Sequence, residues 1–199
     1  MTATAFGAKP TVLRCSRCGR FVDWQDARLQ IVCGCRPHLD LPPVLVRDAV
    51  DKDRPAVKDL FQRDFGRTRL VAFGEEMRLD AAEALVAEME GDIAGALAHR
   101  VWTDALQILA LATDPMWQRS GVGGYLVAEA ELIARRKTLS RVVVATTNDN
   151  LPSLYFYQRR GYRIGELIAG AVPNYFREAP SIGFGGIPIR DEIRLEKDV

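Results

Sequence analysis

The chain has 199 residues, of which 48% are apolar and 27% are charged, a composition typical of a globular protein with one full domain and a small addition. Its 27 basic and 26 acidic side chains give a net charge of +1, which singles out no polyanionic partner. No apolar run approaches the roughly 18 residues of a membrane span, and the N-terminus lacks the apolar stretch of a secretory signal. We therefore expect a cytoplasmic protein without a membrane segment.

All four cysteines lie near the N-terminus, as Cys15-x-x-Cys18 and Cys33-x-Cys35. Four thiolates at two tight turns can form a tetrahedral shell around zinc, and metal binding would then supply most of the folding free energy of so short a segment. Two disulfides would need an oxidising compartment, and free thiols are the other alternative. The spacing favours structural Zn²⁺ held by all four cysteines. The segment resembles a zinc ribbon with a shortened second half.

We predict that residues 1–42 form this module with its linker, and that residues 43–199 form the main domain. The module has six basic and three acidic side chains. Four thiolates and one zinc ion would bring its net charge to about +1. So small a charge argues against a phosphate-reading surface, and nucleic acid is not an expected partner. A docking surface and a lid over a substrate are both open roles.

The main domain shows alternating strand and helix patterns. Asp53 is a predicted helix cap, and Gly91-Asp92 is the predicted turn of a hairpin. The strands at 104–114 and 141–147 are apolar at their centres, which predicts burial on both faces. The alternation predicts an α/β domain with a mixed sheet, an α+β arrangement. Strands are predicted at 43–50, 83–90, 93–102, 104–114, 141–147, 162–168 and 187–197, and helices at 51–65, 121–137 and 150–160.

The segment LATDPMWQRSGVGGYL at 111–126 follows a predicted buried strand and opens a predicted helix. Glycines at a helix N-terminus let backbone N–H groups approach an anion closely, and the helix dipole favours negative charge there. The pattern is neither GxxxxGK[ST] nor GxGxxG, which excludes the two common nucleotide loops. The segment is a candidate pyrophosphate site, with a simple strand-to-helix turn as the alternative.

Two motifs carry a family resemblance. QRSGVG at 118–123 fits the pattern Q/R-x-x-G-x-G/A directly after a strand. NLPSLYFYQRRGY at 150–162 fits N-x-x-A-x-x-x-Y-x-x-x-G-F/Y, with Ser153 in place of the usual Ala. In this order the motifs resemble those of the GNAT superfamily of N-acetyltransferases, over about residues 44–197.

The resemblance implies a GNAT-like acyl-CoA N-acyltransferase fold and direct transfer of the acetyl group of acetyl-CoA to a primary amine. Two parallel strands ending at Thr113 and Thr147 would splay apart around the pantetheine arm, and Asn150 would hold the arm from a helix. The implied cofactor-binding residues are Leu111, Ala112, Thr113, Gln118, Arg119, Ser120, Gly121, Val122, Gly123, Gly124, Asn150 and Tyr157.

The same resemblance suggests candidate catalytic residues. Tyr157 lies seven residues after Asn150, hence on the same helix face, and its phenol is a candidate acid for the leaving thiolate. Packing in the core is the alternative for this tyrosine. A backbone N–H near Leu111 would stabilise the oxyanion. Glu88 and Glu90 are expected to share one face of a central strand, where either could be the base or both could simply be solvated.

Other features leave more than one interpretation open. The insert at 170–188, which contains Tyr175, Phe176, Arg177 and Glu178, could be a lid or a surface loop. The alternative function is an acyl-CoA-binding sensor or adaptor that the zinc module docks to a protein or nucleic-acid partner. The sequence identifies neither the amine acceptor nor the oligomeric state, a homodimer included.

Overall fold

The computed structural model describes residues 13–14, 21–22, 43–118, 120–172 and 181–199. In the N-terminal part, strand β1 (Leu13–Arg14) pairs antiparallel with strand β2 (Phe21–Val22) as a separate sheet. The two strands flank the first cysteine pair in the sequence. The predicted zinc ligands lie outside the described residues, so the zinc site stays a prediction. They are Cys15, Cys18, Cys33 and Cys35.

The main domain is built on one large sheet. Its elements in chain order are β3 (Leu45–Asp48), α1 (Arg54–Phe65), β4 (Arg69–Ala72), β5 (Glu75–Arg78), β6 (Glu83–Met89), β7 (Asp92–Trp102), β8 (Ala105–Thr113), α2 (Val122–Arg136), β9 (Arg141–Thr147), α3 (Leu151–Gln158), β10 (Arg163–Ile168) and β11 (Glu192–Asp198). Seven strands pair in the order β10-β11-β9-β8-β7-β6-β3, while β4 and β5 form a separate hairpin. Only β8 and β9 are parallel neighbours in the described sheet. The predicted mixed sheet is confirmed.

Each face of the sheet carries one apolar layer. Helix α1 lies against β7 and β8 and buries Val57, Leu60 and Phe61, as its apolar spacing predicts. Helix α2 lies against β6 to β9 on the other face and buries residues such as Leu126 and Ala130. No helix within the described ranges is both long and apolar enough to cross a bilayer.

Strand β9 is less buried than predicted. Val142 and Val144 are buried under α2, whereas Arg141, Val143 and Ala145 on the other face are only partly covered. Strand β8 does have a continuous buried run, from Ala105 to Ala110. The difference arises because α1 packs over β7 and β8.

The start of α1 differs from the prediction. The carboxylate of Asp53 forms no side-chain cap on the helix. It instead accepts the backbone N–H of Val50 at 2.9 Å and forms an ion pair with Arg47. The guanidinium of Arg47 holds the pKa of Asp53 well below its usual range. Asp53 therefore ties the segment before the helix to strand β3.

The hairpin between β6 and β7 turns at Glu90-Gly91, so the prediction of a Gly91-Asp92 turn is wrong. Asp92 already pairs with Met89. Glu90 and Gly91 both have positive φ, 54° and 89°, as a two-residue turn matched to the strand twist requires. Glu90 consequently lies outside the strand and does not share a strand face with Glu88.

His99 is a buried titratable group on β7, only 3% exposed. Within the described residues, neither ring nitrogen has a hydrogen-bond partner. Burial lowers the pKa of His99 below the ordinary value of 6.5, although Glu83, whose carboxylate lies 3.8 Å from Nδ1, opposes the shift. The folded state therefore binds a proton here less readily than the unfolded chain does.

We expect His99 to make the protein less stable in mild acid. Its lowered pKa means that no stability is lost above about pH 6.5, and that stability falls as the pH drops below that value. Melting temperatures measured from neutral pH downwards should fall less steeply for His99→Gln than for the wild type. The matched control is His38→Gln, which removes the only other histidine. Identical pH dependence of the wild type and His99→Gln would contradict this assignment.

Candidate active site

Strands β8 and β9 are paired only along the first part of their length. They pair from Ala105 opposite Arg141 to Ile108 opposite Val144, and beyond that point the described sheet has no pairing between them. A bulge marks the position, because Leu109 is the extra residue of β8 in its pairing with β7. A bulge bends its strand and increases the local twist. The result is a gap, bordered by residues 109–113 of β8 and 145–147 of β9.

Backbone groups of β8 face this gap. The N–H of Asp114 donates to the carbonyl of Ala94 on β7 at 2.9 Å. Because backbone groups of a strand alternate between its two sides, Ala112 also faces β7, while Leu111 and Thr113 face the gap. The buried Ala112 pairs with β7, so its placement does not favour a cofactor contact, and the contacts of Leu111 and Thr113 with a cofactor stay predictions.

The turn after β8 is fixed by local hydrogen bonds. The Asp114 carboxylate accepts the N–H of Met116 at 2.9 Å and caps a short 3₁₀ turn, Pro115–Trp117. Ser120 donates its backbone N–H and its hydroxyl to the carbonyl of Trp117. Gly121 then adopts φ 99°, in the region that favours glycine, and α2 begins at the next residue.

The first turn of α2 presents backbone donors. Gly124 and Tyr125 donate their N–H groups to the carbonyl of Gly121, at 2.8 and 3.1 Å. The N–H groups of Val122 and Gly123 have no acceptor among the described residues. A helix N-terminus carries partial positive charge, so these two donors are able to bind an anion.

Helix α3 packs against this turn. A Cβ on Gly123 would lie 3.4 Å from the ring of Phe156, and one on Gly124 would lie 2.6 Å from Nη2 of Arg160. The Arg160 guanidinium lies 3.7 Å from the Phe156 ring centroid and donates to the Phe156 carbonyl at 3.0 Å. Burial lowers the pKa of Arg160. Sequence reasoning missed this half-buried cation, although its place three residues after Tyr157 in the second motif could have pointed to it.

Three other predicted cofactor residues have different surroundings. Gln118 is exposed and its Nε2 makes a long contact, 3.4 Å, with the carbonyl of Thr113. Arg119 lies outside the described residues. Asn150 is the N-cap of α3, where its Oδ1 accepts the N–H of Ser153 at 3.1 Å. That bond fixes the direction of the Asn150 amide, and its contact with a cofactor stays a prediction.

Tyr157 lies in the core below the gap and is 4% exposed. Its ring packs edge-on against Phe156 and Tyr162, with centroids 5.0 and 5.3 Å apart. It belongs to the same buried cluster as Ile108 and Val144, the last paired residues before the gap. Burial raises the pKa of Tyr157 above its usual range, so the phenol is neutral at physiological pH.

The two predicted base candidates lie away from the gap. Glu88 is held by Arg47, with 3.0 Å between Nη2 and Oε2, and Arg47 also binds Asp53. Glu90 is exposed in the turn. Strand β6 is second from the edge of the sheet, and β7 and β8 separate it from the gap. The role of Glu88 or Glu90 as a base stays a prediction, which their placement does not favour.

The insert at 170–188 is described in part. Residues 173–180, which include the four side chains named above, lie outside the described residues. Ile182 forms an isolated antiparallel bridge with Pro188. The N–H of Phe184 donates to the Asp149 carboxylate at 3.0 Å, and Asp149 is buried just before α3. The described part of the insert is thus tied to the α3 end of the gap.

The fold, a mixed sheet whose one parallel pair in the described residues separates at a bulge and leads through a glycine turn into a helix, is similar to that of solved acetyltransferases. The chain belongs to the acetyltransferase (GNAT) family, whose model matches residues 52–162. The predicted GNAT-like fold of the main domain and the predicted acetyltransferase class are confirmed.

Three relatives illustrate the likeness. The uncharacterised protein YxbD of Bacillus subtilis strain 168 is 31% identical over 147 residues, which are 72% of this chain and 91% of that protein. Streptothricin acetyltransferase of Streptomyces lavendulae is 29% identical over 116 residues, 57% of this chain and 60% of that enzyme. A GNAT family acetyltransferase from Elizabethkingia anophelis, solved with acetyl-CoA bound, gives a TM-score of 0.60 at 22% identity and covers 78% of this chain and 98% of that one.

Proposed function

We propose that the protein transfers the acetyl group of acetyl-CoA to a primary amine, with the pantetheine arm lying in the gap between β8 and β9. The observation that carries this proposal is the separation of the two strands at Leu109, which leaves the backbone of Leu111 and Thr113 without a paired strand on the β9 side. The amides of an extended pantetheine arm can pair with such a backbone as a neighbouring strand would.

The diphosphate would lie where the gap meets α2. The N–H groups of Val122 and Gly123 would donate to it, and the half-buried Arg160 would add a positive charge. Arg119 belongs to the same segment of the sequence and would add a second positive charge. The position of these groups at one end of the gap supports one continuous site for arm and diphosphate.

The reaction requires few protein groups. The amine loses a proton and attacks the thioester carbonyl carbon, so that a C–N bond forms and the C–S bond breaks. The N–H of Leu111 faces the gap and would stabilise the oxyanion. Tyr157 would donate a hydrogen bond to the departing sulfur from its neutral phenol.

Acetyl-CoA should raise the melting temperature. At about 100 times its dissociation constant, a ligand that binds only the folded state adds about 2.7 kcal/mol to the unfolding free energy, or roughly 5–10 °C here. Pantetheine, which lacks the diphosphate, is the matched control and should give a smaller shift. Release of free thiol should then be measured across polyamines, lysine and peptides with a free N-terminus. No shift at millimolar acetyl-CoA would refute the proposal, whereas binding without thiol release would favour the sensor.

We infer further that the N-terminal segment binds structural zinc. The cysteine spacing supports this, and so does the antiparallel pairing of β1 and β2, which precede and follow the first cysteine pair in the sequence. Four sulfur ligands leave no open position, so this zinc would take no part in the reaction. Purified protein should contain about one zinc ion per chain, and a Cys15→Ser, Cys18→Ser double variant should lose it. Ser16→Ala is the control. Zinc-free wild-type protein would show the inference to be wrong.

A further inference from the structure

The gap has a second mouth, on the face of the sheet that carries α1. Strand β9 stays paired with β11 beyond the splay, with Arg194 opposite Ala145 and Glu192 opposite Thr147. Leu195 belongs to the buried cluster on the α2 face, so alternation places Glu192 and Arg194 on the α1 face. Glu192 therefore lies one strand away from the gap, beside the free end of β9.

The tip of the β4–β5 hairpin lies beside this mouth. Its turn is Phe73-Gly74, and Phe73 has φ 57°, which is uncommon for a bulky residue and must be held by its surroundings. Phe73 packs in one apolar cluster with Leu109 and Ala145, the residues at which the gap opens. Its N–H donates to Oε2 of Glu192 at 3.2 Å. The tip of the hairpin thus lies close to the gap and contacts Glu192.

Arg194 fixes the same carboxylate from the other side. Its Nε donates to Oε1 of Glu192 at 2.6 Å, and its Nη1 donates to Glu166 at 2.7 Å. Two carboxylates around one guanidinium leave a net negative charge at this mouth. Glu192 is 3% exposed, and each of its oxygens can accept a further hydrogen bond. An ammonium group, with three donors and one positive charge, matches this arrangement.

We propose that Glu192 binds the ammonium group of the acceptor and takes up the proton that the amine loses before it attacks. This inference rests on the proposed function, in which the cofactor diphosphate occupies the α2 end of the gap and leaves the α1 mouth to the acceptor. The proton passes from nitrogen to carboxylate, the freed lone pair forms the C–N bond, and the C–S bond breaks. The thiolate leaves with the second proton of the nitrogen, and Glu192 returns its proton to water. Arg194 and the amide of Phe73 are positioning groups.

The test compares Glu192→Gln with Glu196→Gln, using the amine that reacts fastest in the panel named above. Glu196 lies on the same face of β11 but forms ion pairs with Arg141 and Arg163 away from the gap, which makes it the matched control. Glu192→Gln should lower kcat/KM for the amine by about 30-fold, the effect of one charge-assisted contact, with the acetyl-CoA dissociation constant nearly unchanged. Glu196→Gln should stay within about threefold of the wild type. The Glu192→Gln defect should shrink near pH 10.4, where more of the amine is neutral.

A purely structural role of Glu192 would leave a defect that alkaline pH does not relieve, and this result would overturn the proposal. Equal losses in both variants, or wild-type activity in Glu192→Gln, would also overturn it. Should Glu192→Gln fold poorly, Glu192→Asp decides, because it keeps the charge and must be the more active of the two. Failure of wild-type protein to bind acetyl-CoA would instead end the proposed function and this inference with it.

Discussion

Replacing Gly121 by valine is expected to raise the dissociation constant of acetyl-CoA at least about 100-fold. Gly121 has φ 99° directly before α2, and a β-branched residue cannot adopt this conformation without strain. The turn would have to change direction and so misplace the N–H donors of Val122 and Gly123. Each charge-assisted hydrogen bond contributes about 1.5–3 kcal/mol, so losing two accounts for the expected factor.

Gly123→Ala is the control for this experiment. A Cβ at Gly123 would meet Phe156 at 3.4 Å and Leu111 at 3.6 Å, which the packing tolerates, and no positive φ is required there. Its acetyl-CoA affinity should stay within about threefold of the wild type, as for a substitution that leaves the backbone unchanged. Calorimetry with both variants, after a check of their melting temperatures, measures the difference. Wild-type affinity in Gly121→Val would mean that the turn does not bind the diphosphate.

The helices could be predicted because their apolar residues recur with helical spacing, and strand β8 could be predicted because its centre is apolar. The 3.6-residue spacing of Val57, Leu60 and Phe61 marks the buried face of α1 without knowledge of its partner. The hairpin turn was missed by one residue because Gly91 belongs to both possible turns. Only the pairing of Met89 with Asp92, a property of two strands together, decides between them.

The site itself was only partly readable from the sequence. The glycine turn could be predicted, because glycines at the start of a helix form a pattern within one short segment of the sequence. The gap could be expected only from a family resemblance, because the bulge at Leu109 leaves no mark in an apolar run. Glu192 lies among alternating charged residues on β11, the strand next to the edge of the sheet. The local sequence does not distinguish Glu192 from Glu196. Glu192 contacts Arg194, two residues away, and Phe73, which is 119 residues away in the sequence. The contact with Phe73 depends on the fold and could not be predicted from the sequence.

Replacing Tyr157 by phenylalanine is expected to lower kcat about 100-fold and to leave acetyl-CoA affinity and the melting temperature nearly unchanged. Phenylalanine keeps the edge-on packing against Phe156 and Tyr162, so the substitution removes only the hydroxyl. Burial raises the pKa of Tyr157, which makes complete proton transfer to a thiolate unfavourable. The phenol would therefore act as a neutral donor to sulfur. Its ionisation should not appear in a kcat profile measured up to about pH 10, the usual pKa of tyrosine.

Tyr162→Phe provides the matched control, because Tyr162 is equally buried, packs on the same ring and lies outside the predicted cofactor set. Burial raises the pKa of Tyr162 as well, so the two phenols share their protonation state and differ in position. If position beside the gap matters, only the Tyr157 variant loses turnover. Equal losses in both would mean that the hydroxyls act on packing, and an active Tyr157→Phe would mean that the departing sulfur needs no hydrogen bond from this phenol.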